Sequence, residues 1–295
     1  MKKKLLILYF LTLMCLNVSA KENIIYYHML TKTTPGLSLT NILNTTLEEK
    51  GNFGIDFKLG LECSAKDAWN KESRLSIAEI ASGRYWTSLQ ENDNLCDVDT
   101  KNMKWFAKTT MYYNICVAEN SPIKTVDDFK KARLVSVGVN NVTESVIKYL
   151  NKNHGTNIKV IKFPNSTQAA LSVISGDTEA GIIADTTGDA LVKNGKMRCI
   201  AFGDKKNSQS IAKLFPELPE VLKEPSLVTF FGIKNVDDSQ FKKIIAASLV
   251  AKENMDKKIP GNSFESIKKV EEQANLEKEF YNQTTGLFLL TDKLR

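Results

Sequence analysis

Strands that alternate with helices and end in small polar residues constrain this chain more than any other feature, and the stretch from Ser121 to Phe202 has that pattern throughout. Thr125 is placed to cap a short helix whose first turn carries Asp127 and Asp128, where the helix dipole favours acids. Leu134-Val-Ser-Val-Gly-Val then reads as a buried strand that stops at Asn140-Asn141. Asn141-Val-Thr-Glu144 has capping-box spacing, so a helix is predicted from about Val142 to His154. Ile158 to Phe163 is a second strand, Asn165-Ser166-Thr167 a second cap, and Gln168 to Ser175 a helix closed by Gly176. Ala180 to Ala184 is a third strand, ending at Asp185-Thr186-Thr187, and Arg198 to Phe202 a fourth.

Such alternation implies a mostly parallel sheet, and open parallel sheets bind ligands outside the carboxyl ends of their strands. Helix starts at that edge offer unpaired backbone N–H groups and partial positive charge, which suit a small anion without a cationic side chain.

The first residues carry a secretory pattern: Met1-Lys-Lys-Lys is basic, Leu5 to Leu16 is apolar, and Val18-Ser-Ala20 is a small-residue cleavage site. Residues 1–20 are therefore expected to be a cleaved signal peptide and the mature protein to be periplasmic. The apolar stretch is shorter than the ~20 residues of a membrane span. Thr12-Leu-Met ahead of Cys15 lacks the small residue of a lipidation site. Loss of Lys2, Lys3 and Lys4 lowers the formal charge from +6 to +3. The remaining lysines are interspersed with acids, as in Asp127-Asp128 before Lys130-Lys131, which describes a solvated surface and argues against nucleic acid as a partner.

A mature chain of about 275 residues favours two domains over one. Asn23 to His28 reads as a strand, Thr31 to Leu39 as an exposed loop, Leu39 to Lys50 as a helix, and Phe53 to Leu59 as a second strand. Ser64 to Ala81 reads as mostly helical, and Trp105 to Ala118 as one or two extended segments. Leu227 to Ile233 returns as a strand, followed by helical stretches near Ser239 to Asn254, Ser263 to Gln273 and Leu276 to Thr284. This order predicts a discontinuous lobe 1 (21–120 and 226–295) around an inserted lobe 2 (121–225), with crossings near Glu119 to Pro122 and Glu224 to Leu227.

Cys116 and Cys199 lie inside apolar runs and read as small buried thiols, whereas Cys63 and Cys96 sit in polar surroundings and form the candidate disulfide. None has metal-ligand spacing with His28 or His154, so no metal is expected. The residues also show no Ser, His and Asp set and no paired carboxylates, so no catalytic residues and no cofactor are expected.

Several stretches taken together resemble the substrate-binding proteins of tripartite tricarboxylate transporters, the Bug-type receptors. They are Trp105-Phe-Ala with Ile115-Cys-Val-Ala-Glu-Asn-Ser-Pro-Ile-Lys-Thr-Val-Asp-Asp-Phe, Ser136-Val-Gly-Val-Asn-Asn-Val-Thr, Phe163-Pro-Asn-Ser-Thr-Gln-Ala-Ala-Leu-Ser-Val-Ile-Ser-Gly, and Asn194-Gly-Lys-Met-Arg-Cys-Ile-Ala. Phe215-Pro-Glu-Leu-Pro-Glu-Val and Thr229-Phe-Phe-Gly-Ile are similar to that family's Pro-rich segment and returning strand. The resemblance implies a type II periplasmic binding fold, two Rossmann-like α/β lobes joined by two hinge crossings and closing on a small carboxylate. It also implies a monomer that hands its ligand to membrane permease subunits. The family's first ligand loop falls on Pro35-Gly36-Leu-Ser38-Leu-Thr40, with Leu37 at a second Gly and Thr40 near the Asp. Its second loop falls on Gly138-Val-Asn140-Asn141-Val-Thr143, with Asn replacing Gly.

The candidate ligand contacts are accordingly Pro35, Gly36 and Ser38 on one jaw and Gly138, Asn140, Asn141 and Thr143 on the other. Asp185 and Thr186 would close from the next strand, and Phe230 would form a wall. For Asn141, Asp185 and Thr186 the competing reading is a helix cap, and for Phe230 a place in the core. Rival functions are a receptor of another importer, for a phosphonate, amine or vitamin precursor, an enzyme on a two-lobed scaffold, and an interaction protein that has lost its ligand.

Overall fold

The apolar run Ile24-Ile25-Tyr26-Tyr27 is buried on both faces of β1 (Glu22–His28), as a strand in the interior of a parallel sheet must be. A computed structural model describes residues 21–28, 36–59, 66–81, 100, 102–138, 141–259 and 262–294. After β1 come α1 (Gly36–Lys50), β2 (Phe53–Leu59), α2 (Lys66–Lys71) and β3 (Ser76–Ala81). Both β2 and β3 run parallel to β1, with Tyr26 opposite Phe57 and Tyr27 opposite Ala78.

The structure replaces part of the helix expected over Ser64 to Ala81 with strand β3. Ala, Glu and Ile in this segment are compatible with a helix, but every one of its residues is buried between β1 and a later strand, and two-sided burial overrides propensity.

Next is β4 (Lys104–Ala118), a single strand of 15 residues. Lobe 2 follows as α3 (Val126–Phe129), β5 (Leu134–Val137), α4 (Asn141–His154), β6 (Lys159–Lys162), α5 (Ser166–Ser175), β7 (Ala180–Ala184), α6 (Asp185–Lys193) and β8 (Met197–Ala201). Caps set its helix boundaries. Thr125 and Asp128 form a reciprocal capping box at α3, Asn165 accepts from the Gln168 N–H at α5, and Gly176 ends α5 in the left-handed conformation, φ 83°. The short helices α7 (Ile211–Leu214) and α8 (Glu220–Lys223) lead to β9 (Ser226–Lys234), α9 (Asp238–Lys258), β10 (Glu265–Ser266) and α10 (Gln273–Leu294). Much of the helix expected over Ser263 to Gln273 is instead β10, hydrogen-bonded to β4, and a 3-10 turn at Val270–Glu272.

The sheet order is β2-β1-β3-β9-β4-β7-β5-β6, with β8 and β10 also paired to β4. Strand β4 changes partner partway along. It pairs β9 from Lys104 opposite Ile233 to Tyr112 opposite Ser226, then β7 from Tyr113 opposite Ala184 to Cys116 opposite Gly181. The exchange of partners falls between Tyr112 and Tyr113, inside a continuous strand. The returning chain meets it there: the Tyr113 N–H donates to the Pro225 carbonyl at 2.9 Å. Gly203 packs against both segments, and a Cβ on it would lie 2.6 Å from the Tyr113 carbonyl oxygen and 3.0 Å from that of Pro225.

Each side of the partner switch has its own core, which is what defines two lobes. Tyr26, Trp69, Trp105, Phe230 and Phe241 belong to one cluster, and Ile115, Phe129, Val146, Ile182 and Phe215 to another. Phe230 is fully buried, edge-on to Trp105 with centroids 5.9 Å apart and to Phe280 at 5.3 Å. It is a core residue and not the cleft wall considered above, because its place on β9 turns it toward β4 and α10.

Cys116 and Cys199 are not free thiols. They face each other across β4 and β8 and form a disulfide with Cα atoms 3.9 Å apart. Both lie in strands with apolar neighbours, so the flanking residues carry no sign of the pairing. Cys63 and Cys96 lie outside the described residues. Among the described residues no helix is long and apolar enough to cross a membrane.

Candidate functional site

Strands β6, β5 and β7 are parallel neighbours, so α4, α5 and α6 all begin at one edge of lobe 2. Backbone packing draws these starts together. Gly138, buried at the end of β5, lies so close to α5 that a Cβ on it would sit 3.2 Å from the Ser166 amide nitrogen. The Ser166 hydroxyl in turn accepts from the Ala184 N–H at 2.7 Å, tying the start of α5 to the end of β7. The sequence places helix starts at a common strand edge, and the structure assembles them into one polar corner, where backbone N–H groups and helix dipoles favour an anion.

The candidate contacts fall unevenly on this geometry. Gly138 and Asp185 lie at the corner, and Asn141 is the first residue of α4. Thr143, in the first turn of α4, is fully buried. Thr186 is exposed, its N–H donating to Asp185 Oδ1 at 2.6 Å. On lobe 1, Gly36 opens α1 and Ser38 is exposed in its first turn. Pro35 and Asn140 lie outside the described residues.

Asp185 links the corner to the hinge. Its Oδ2 accepts from the Tyr112 N–H at 3.1 Å, at the point where β4 changes partner. Burial pushes this carboxyl up to about 6 against the pull of the Tyr112 and Thr186 N–H groups, and Asp189 and Asp204 add repulsion. Since the folded chain holds this proton more tightly than the unfolded chain, whose reference is 3.8, the stability it contributes is present at low pH and lost as pH rises through about 6. Asp185→Asn is therefore expected to gain melting temperature relative to the wild type between pH 5 and pH 7. A pH-independent difference in thermal melts would contradict this assignment.

Sequence reasoning missed a buried polar group on lobe 1. Glu79, at 2% exposure, accepts from the Tyr26 hydroxyl at 2.6 Å and the Thr40 hydroxyl at 2.5 Å, both on Oε1. Its Oε2 lies 2.6 Å from His28 Nδ1. Burial, with the Glu79 charge second, holds the Tyr26 hydroxyl well above its ordinary range, so it stays a donor. The only signals in the sequence are a histidine closing an apolar strand and a glutamate inside Ile77-Ala-Glu-Ile80. Thr40, a departure from the resembled loop, has a structural role as one of the donors to Glu79. Among the described residues no group of His, Cys, Asp and Glu is arranged to hold a metal ion.

Two α/β lobes, each with its own core, joined where β4 changes partner and the returning chain meets it, are the arrangement of the type II periplasmic binding fold. Solved structures share it over nearly the whole chain. A TctC solute-binding protein from Polaromonas is 16% identical, with a TM-score of 0.67 over 94% of this chain and 100% of that one. A Rhodopseudomonas palustris protein with adipate is 12% identical, with a TM-score of 0.68 over 94% and 98%. MatC from the same organism, with bound malate, is 11% identical, with a TM-score of 0.65 over 91% and 98%. No protein-family model and no curated protein matches the sequence.

Proposed function

We propose that this protein is a periplasmic solute-binding receptor that captures a small organic carboxylate between its lobes and delivers it to the membrane subunits of a tripartite tricarboxylate-type transporter. The observation that carries this reading is the convergence of three helix starts at one corner of lobe 2, in a fold shared with malate- and adipate-bound proteins. Backbone amides, hydroxyls and ordered waters would hold the acid, with Gly138, Asn140, Asn141, Asp185 and Thr186 presented from lobe 2 and Pro35, Gly36 and Ser38 from lobe 1. Capture works by population shift: a ligand that touches both lobes only when the crevice is shut favours the closed state, whereas contacts with one lobe alone shift nothing. A receptor needs no turnover, and the reading assigns no catalytic residue. The secretory pattern at residues 1–20 supports the compartment.

The test is a thermal-shift screen with malate, adipate, citrate, amino acids and nicotinate. A cognate acid at a hundred times its Kd is expected to stabilise the protein by about 2.7 kcal/mol. Failure of every acid to raise the melting temperature would overturn the reading.

A further inference from the structure

The Glu79 cluster is incomplete in a way that points to a ligand. His28 has no exposed surface; its Nδ1 lies 2.6 Å from Glu79 Oε2 as an ion-pair contact, and neither imidazole nitrogen has a hydrogen-bond partner among the described residues. Buried polar atoms are almost always satisfied, and one left open calls for an explanation. The ring is otherwise fixed, lying nearly parallel to Phe57 with centroids 5.8 Å apart. His28 is the last residue of β1, which lies between β2 and β3, and the chain passes from it toward the start of α1. It therefore stands at the carboxyl edge of lobe 1, where open α/β sheets bind ligands.

Resting on the receptor reading above, we propose that His28 is a specificity-determining ligand contact: its Nε2 donates to one carboxylate of a dicarboxylic acid while Nδ1 remains against Glu79, and the second carboxylate occupies the helix starts of lobe 2. Glu79 is a positioning residue, fixed by Tyr26 and Thr40 so that its charge holds the imidazole from behind. The groups that face His28 among the described residues are Glu79 on β3 and, through it, Tyr26 on β1, which stays protonated.

The experiment is isothermal titration calorimetry of the mature protein with adipate and hexanoate, which have the same chain length with and without the second carboxylate. The wild type is expected to prefer adipate. His28→Gln is expected to lose ~10- to 100-fold in adipate affinity, the range for a hydrogen bond to a charged group, and to lose most of the preference over hexanoate. Equal adipate affinity in His28→Gln, or an unchanged preference, would overturn the role of His28 and leave the receptor reading standing. If nicotinate or hexanoate binds but neither adipate nor malate does, the dicarboxylate assignment fails alone. If no acid binds, both readings fall. Should His28→Gln not fold, the wild type decides the matter, since equal affinity for adipate and hexanoate would overturn the proposal.

Discussion

Trp105→Ala is expected to destabilise lobe 1 by about 3–5 kcal/mol, a large share of the stability of an ordinary domain. Trp105 is 1% exposed near the start of the hinge strand, stacked on Phe280 with centroids 4.7 Å apart and edge-on to Phe230. Phe280 comes from α10, so these rings fasten the C-terminal helix to β4 and β9. The loss has two parts: buried aromatic area, and a void that two neighbouring rings and a long strand cannot fill by small shifts. Because β4 continues into lobe 2, loosening its first half should also weaken ligand binding, which depends on how the lobes are held. Denaturant unfolding measures the effect. A loss below about 1 kcal/mol would mean that the three rings do not form the core contact described.

The second large effect concerns the disulfide. Cys116 and Cys199 are separated by 83 positions, so their bond restricts much of lobe 2 in the unfolded chain. Replacing both with Ala is expected to cost about 2–4 kcal/mol. The sulfurs lie under α6, where a Cβ on Gly188 would be 3.6 Å from one and 3.7 Å from the other, so the substitutions also remove packed atoms. An oxidising periplasm would permit the bond. Reductant should lower the melting point of the wild type by more than that of the double variant. Alkylation of Cys116 in unfolded, unreduced protein would contradict the pairing.

The parts of the fold that could be read from sequence are those set by local chemistry. The caps at Thr125 and Asn165 and the stop at Gly176 mark helix ends wherever they occur, and the structure places α3 and α5 accordingly, while α4 takes in Asn141, expected as its cap, as its first residue. Elements governed by distant partners could not be read this way. Strand β3 contains helix-compatible residues and is extended because β1 and β9 flank it. The exchange of β9 for β7 falls within one strand, and nothing in Met111-Tyr-Tyr-Asn114 marks it. Cys116 and Cys199 pair through strand register, not through spacing. The same limit applies at the site. Lobe 2's helix starts follow from the order of residues, whereas His28 and Glu79 meet only when β1 and β3 align.

Native mass spectrometry of the protein, before and after addition of adipate or malate, shows whether the two lobes together hold one small acid. The expected spectrum shows a single bound acid per chain, either carried through purification or acquired on addition. Only the bare chain mass, with every acid in the screen at millimolar concentration, would contradict the account.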